Sequence, residues 1–238
     1  MDGEQSNAGM RPHARQTRPL VTAARAWVIG LACLGHTQGI RAAPLTVTVV
    51  LPDGRPLSGV VVMARPTTAS AHAAAPVQAI MDQVDKAFVP DLLVISTGST
   101  VGFPNSDSVS HQIYSFSPAK RFQLPLYRGK PYPPVEFDQV GVVTLGCNIH
   151  DSMLAYVVVT DAPFFGRTNT TGSWTHEVAE GRYQVTVWHP RLRDSGPAVL
   201  QGEVTVTEPA GGTLTLHLAK QLKPAPLEGP AAHSWDVY

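Results

Sequence analysis

Short apolar runs that alternate with polar residues, cut apart by glycine and proline, decide the fold class of this 238-residue chain. Residues 45–51 read Leu-Thr-Val-Thr-Val-Val-Leu and residues 183–188 read Tyr-Gln-Val-Thr-Val-Trp. A period of two sends successive side chains to opposite faces of a strand. Pro52-Asp-Gly54, Thr97-Gly-Ser99, Ala179-Glu-Gly181 and Pro209-Ala-Gly-Gly212 supply the turns between such runs. No segment sustains a helical period over a dozen residues. With 20 glycines, 21 prolines and only 15% charged residues, the chain is expected to be all-β.

Taken in order, residues 45–51 and 60–63 read as strands, and residues 67–76, rich in Ala, Thr and Ser, read as a linker. From residue 77 the texture changes, with strands expected at 92–95, from 101, 112–116, 135–137, 140–145 and 154–160. Residues 117–134 form a proline-rich stretch holding Lys120, Arg121, Arg128 and Lys130, read as a surface loop. Beyond Asp161 the strands return at 183–188, 203–206 and 213–218, and the tail 220–238, with its three prolines, reads as largely disordered.

Residues 1–43 look like an export signal: Arg11, Arg15, Arg18 and Arg25 precede a short apolar core, 26–35, and small residues follow at Gly39, Ala42 and Ala43. That core is too short to span a bilayer, which takes about 20 residues, so no transmembrane span is expected in the mature chain. Leu31-Ala-Cys33 is the faint alternative of a lipoprotein cleavage site. The expected location is periplasmic or secreted. Formal net charge is zero, and no basic patch interleaved with aromatics is present, so nucleic acid is not an expected partner.

Of two cysteines, Cys33 falls in the export segment and leaves Cys147 alone. An unpaired cysteine in an oxidising compartment is a reactive thiol or a metal ligand. It stands in Cys147-Asn-Ile-His150-Asp-Ser-Met153, a short loop between two apolar runs. Thiolate, imidazole and thioether together suit copper better than they suit oxygen-loving ions. Zinc is the rival, though Met is a poor zinc ligand. His111, at the start of the strand 112–116, is the candidate fourth ligand. A catalytic Cys147–His pair is a further reading, with no third orienting group evident.

Residues 77–161 resemble a cupredoxin, the Greek-key β-sandwich of plastocyanin and amicyanin. The likeness rests on Gly98-Ser-Thr-Val-Gly-Phe-Pro-Asn105, on a histidine six residues later, and on C-x2-H-x2-M between two strands. It implies a type 1 copper ion held by His111, Cys147 and His150, with Met153 as the weak axial ligand. It further implies that Asn105 ties the two ligand loops together. His150 would be the electron port, with Ile149 and Pro104 bordering the surface where a protein redox partner docks. The flanks, 44–66 and 162–219, resemble a carboxypeptidase-regulatory-like or transthyretin-like β-sandwich, so the cupredoxin would be an insertion in a discontinuous one. The whole order is similar to the secreted plastocyanin-like methylamine utilization proteins.

Four protein ligands leave no open position for substrate, and an open position is what catalytic metal sites keep. The expectation is therefore an electron carrier and not an enzyme. The alternatives are a copper storage or delivery protein and a non-catalytic β-sandwich binding module. Asp107 and Glu136 read as surface charges, Met63 and Met81 as core, His176 as a loop residue, His217 as solvent-facing and His189 as an interface residue.

Overall fold

The computed structural model describes residues 42–68, 72–129, 131–192, 200–219 and 222–224, and every regular element among them is a strand. The chain opens with β1 (Ala42–Val50) and β2 (Val61–Pro66). Five short strands follow: β3 (Gln78–Ile80), β4 (Asp82–Val84), β5 (Ala87–Val89), β6 (Leu92–Ser96) and β7 (Ser99–Gly102). Next come β8 (His111–Ser115), β9 (Phe122–Tyr127), β10 (Val135–Phe137), β11 (Gly141–Gly146) and β12 (Leu154–Thr160). The last five are β13 (Phe164–Arg167), β14 (Ser173–Ala179), β15 (Gly181–Trp188), β16 (Leu200–Val206) and β17 (Gly212–His217).

Strands from the two ends of the chain form two sheets, ordered β14-β1-β17 and β13-β2-β15-β16. The alternation in β1 explains why they close on one another. Leu45, Val47 and Val49 are sealed from solvent while Thr46 and Thr48 face outward. The buried set joins Val60, Val62, Ala64, Val185 and Val187 in one apolar core. Each such side chain contributes roughly 1.5–3 kcal/mol on burial.

The strands between them form a five-stranded sheet, β6-β12-β11-β8-β9, and a three-stranded one, β10-β7-β3, with β4-β5 as a separate hairpin. They share a second core in which Phe103, Phe137, Ile113, Leu145 and Met81 are almost wholly buried.

Strand β12 belongs to two cores at once. Ala155, Val157 and Val159 point into the second core, while Val158 joins Leu92, Val61 and Trp188 in a third cluster. Burial on both faces is why residues 157–159 read Val-Val-Val without polar alternation. Trp188 lies edge-on to Tyr156 with ring centroids 5.4 Å apart. Arg167 adds a polar tie, donating from Nη1 to the carbonyl of Leu92 at 3.2 Å.

Beside this joint, His189 is partly buried, and its Nδ1 accepts the backbone N–H of Arg191 at 3.2 Å. Burial, reinforced by the charges of Arg191 and Arg167 and opposed by Asp91, pushes its pKa down to about 4. The unfolded chain would take up this proton near pH 6.5, whereas the fold resists it until about pH 4. Stability is therefore full above pH 6.5 and falls as pH drops toward 4. After allowance for partial exposure the loss is roughly 1–2 kcal/mol. Denaturant melts of wild type and His189→Gln between pH 7.5 and 4 check this, since the variant should lose that part of the slope.

Several expectations are corrected. The stretch 117–134 is not only a loop: β9 pairs with β8, and Pro125 is tolerated because β9 is an edge strand. His176 lies in β14, opposite Leu45 on β1. Within the tail, Leu222 packs against the first core and Lys223 exchanges two backbone-directed bonds with Arg191, so that short piece is docked. Ala42 and Ala43, read as the end of the export segment, pair with Ala179 and Val178, and Ala43 is buried. Residues 1–41 and 225–238 lie outside the described residues. Among the described residues no helix is long and apolar enough to cross a membrane.

Candidate metal centre

Two loops at one end of the second core bring the candidate ligands together. The first runs from β7 to β8 and is closed by its own side chains. Asn105 donates from Nδ2 to the carbonyl oxygens of Val109 at 3.0 Å and Tyr127 at 2.9 Å. Its Oδ1 accepts the N–H of Asp107 at 3.0 Å, the bond that makes an Asx turn. Asn105 therefore fastens the His111 loop to β9, where the resemblance implied a tie to the Cys147 loop. His111 then starts β8 with no exposed surface.

The second loop leaves β11 at Gly146, opposite Tyr114 on β8. A Cβ on residue 146 would stand 2.8 Å from the Tyr114 ring, so any larger residue here would have to push that ring aside. Cys147 follows, buried to 3% exposure. The backbone N–H of Met153 donates to the carbonyl of His150 at 3.0 Å and turns the chain back. Met153 thereby returns to the core that holds Cys147 and is 2% exposed.

His111, Cys147 and His150 form a group whose ligand atoms all lie within 4.8 Å of one another. His111 Nδ1 is 3.1 Å from His150 Nδ1 and 4.0 Å from Cys147 Sγ. The rings meet edge-on, with centroids 4.9 Å apart. Met153 belongs to the same buried cluster as Cys147. Of the proposed docking residues, Ile149 is 52% exposed, His150 is half-buried, and Pro104 is half-buried with its carbonyl accepting a bond from Gln83 Nε2.

Asp107, expected to be a surface charge, stands at this site instead. Its side chain is 7% exposed, and Oδ2 lies 2.9 Å from His111 Nε2. The same oxygen accepts the backbone N–H of Lys86 at 2.7 Å, and Oδ1 that of Ser108 at 2.6 Å. The bond to His111, followed by that to Lys86, holds the carboxyl well below the usual carboxylate range. Its spacing of four residues before His111 was the available signal, but in a loop such spacing carries no fixed geometry. His150 is also pushed down, first by burial and then by the charges of His111 and Lys86.

The donor set can be tested for its fit to a metal ion. A carboxylate only accepts, so Asp107 places the ring hydrogen of His111 on Nε2 and leaves Nδ1 a bare lone pair. That lone pair, a second imidazole nitrogen and a thiol converge within a few ångströms, with His111 and Cys147 buried and His150 half-buried. Edges of 3.1 and 4.0 Å suit atoms each about 2.0–2.3 Å from one ion. Soft sulfur with two imidazoles is a copper-type donor set. The residues fit.

No family model matches the chain, and neither does any curated protein. Solved structures are similar to part of it. One is the Cu-containing nitrite reductase of Thermus scotoductus SA-01, at 25% identity and TM-score 0.33 over 40% of this chain and 25% of that one. The chain thus spans about a quarter of the length of that reductase. A purple cupredoxin from Nitrosopumilus maritimus is similar at 26% identity and TM-score 0.31, over 34% of this chain and 99% of that one. An oxidised amicyanin variant is similar at 20% identity and TM-score 0.33, over 41% and 99% of the two chains.

Proposed function

We propose that this chain is an exported blue copper protein that carries single electrons between protein redox partners. Residues 77–161 would be the copper domain, set into a sandwich made by 44–66 and 162–219, with the residues ahead of β1, 1–41, as the export signal. His111, Cys147 and His150 would hold the ion, with Met153 as a fourth, weaker ligand. The observation that carries this reading is the convergence of His111 Nδ1, His150 Nδ1 and Cys147 Sγ from two loops on a buried point.

When bound, copper supplies a one-electron couple. The protein's part is to keep the geometry the same in both oxidation states, and the two loops are built for that. The His111 loop is held by Asn105 and Asp107, and the Cys147 loop is pinned by the cross-strand fit of Gly146 to Tyr114. Burial of Cys147 and His111 excludes water. A ligand set supplied wholly by the protein favours a carrier over an enzyme. Ile149, exposed beside His150, would border the surface through which electrons pass.

The test is to load the purified chain with Cu(II). An intense visible thiolate-to-copper band, a narrow copper hyperfine splitting in the EPR spectrum, and a reversible one-electron couple are the expected results. A colourless copper-loaded protein would overturn the reading. A coloured protein without a reversible couple would favour copper storage or delivery.

A further inference from the structure

We infer that Asp107 is a positioning and tuning residue of the metal centre, a buried carboxylate that fixes the ring of His111 and sets how strongly Nδ1 donates. This rests on the copper reading for its redox consequence and on geometry alone for its effect on the ring. Asp107 Oδ2 and His111 Nε2 are 2.9 Å apart, and neither side chain has much contact with water. The acceptor-only carboxylate selects the tautomer with hydrogen on Nε2, so the lone pair of Nδ1 faces Cys147 and His150.

The carboxylate is itself held from outside its loop. Asp85 and Lys86, at the tip of the β4–β5 hairpin, both take left-handed backbone conformations, with φ of 50° and 58°. A two-residue turn of that kind matches the twist of the flanking strands, and here the Lys86 N–H meets Asp107 Oδ2 at 2.7 Å. The hairpin is fastened in turn to the same loop. Asp82 accepts the N–H of Ser106 at 3.1 Å and its hydroxyl at 2.7 Å, and Gln83 forms a β-bridge with Asn105. Asp107 therefore cannot swing away from His111 without breaking bonds to a second structural unit.

Carboxylate partners raise the basicity of metal-bound imidazole, and their loss costs about 10–100-fold in metal affinity. A more basic nitrogen favours the doubly charged ion over the singly charged one. In Asp107→Asn, which keeps the shape and removes the charge, the preference for Cu(II) over Cu(I) should fall about tenfold. For one electron that raises the reduction potential by about 59 mV.

Two measurements decide the matter. Ring 15N shifts of His111 in the metal-free wild-type protein should report hydrogen on Nε2, and this needs neither copper nor a variant. Reduction potential and Cu(II) affinity of Asp107→Asn should shift in the directions given, with Asp107→Glu restoring part of each. Hydrogen on Nδ1 in the wild type would overturn the inference, as would an Asp107→Asn potential equal to that of the wild type. If copper binds nowhere, the ring measurement still decides the positioning role, and only the proposed function fails.

Discussion

If the proposed centre is right, Cys147→Ser is expected to abolish the visible band of the copper-loaded protein and to lower copper affinity by more than the 10–100-fold that loss of an outer partner costs. The reason is electronic first. Only a thiolate donates enough charge to Cu(II) to give an intense visible transition, and serine oxygen at neutral pH is a protonated, hard donor. The reason is also geometric, because the sulfur supplies one corner of a triangle whose other corners are His111 and His150. Cys147 is buried among apolar side chains, so the serine hydroxyl must find a partner, and His111 Nδ1 is the acceptor in reach. The stability cost is accordingly small, about 1–2 kcal/mol. Absorption and EPR spectra of both proteins with added copper, together with thermal melts, check this. A variant that keeps the band would remove Cys147 from the centre.

Trp188→Ala carries the largest expected loss of stability, about 3–5 kcal/mol. Its indole fills the joint formed with Val61, Leu92 and Val158, edge-on to Tyr156. Deleting it leaves a cavity lined by strands of both sheet systems, and neither system can collapse into the gap without disturbing its own pairing. The loss should therefore fall on the joint. Wild type is expected to melt in one transition and the variant in two, with the copper spectrum at 25 °C unchanged because the ligand loops stand on the other core. A single transition lowered as a whole would mean that the two cores remain coupled without the tryptophan.

How much of this could be read from the chain varies with the kind of signal. The all-β class was legible because alternation such as that of residues 45–51 survives in any context where one face is buried. The grouping of Cys147 and His150 follows from spacing within one turn, and His111 could be paired with them because it begins a strand. Other features left no trace. Strand β9 was hidden by Pro125, which an edge strand accommodates, and β14 was hidden because its three central residues, 175–177, are exposed in a row and break the alternation. Asp107 looked like one more polar residue in a serine-rich loop. Its role comes from a hairpin tip 21 residues upstream, and no local pattern reports such a contact. Asn105 was singled out, but its partner lies on β9, a strand the sequence did not reveal. The run at 157–159 announced burial on both faces without saying what covers the second one.

That doubly covered strand has a consequence for how the chain can change over time. Strand β12 begins at Leu154, immediately after Met153, and by Val158 it is pressed against Val61 and Trp188. A strand in a half-solvated sheet has one row of positions facing away from the core, as Thr46 and Thr48 do on β1. From Val157 to Thr160 neither row is free. A substitution at Val158 must suit its own sheet and also Val61 and Trp188, the former encoded nearly a hundred residues earlier. Heredity thus binds the strand that follows the Cys147–Met153 loop to a distant stretch of sequence.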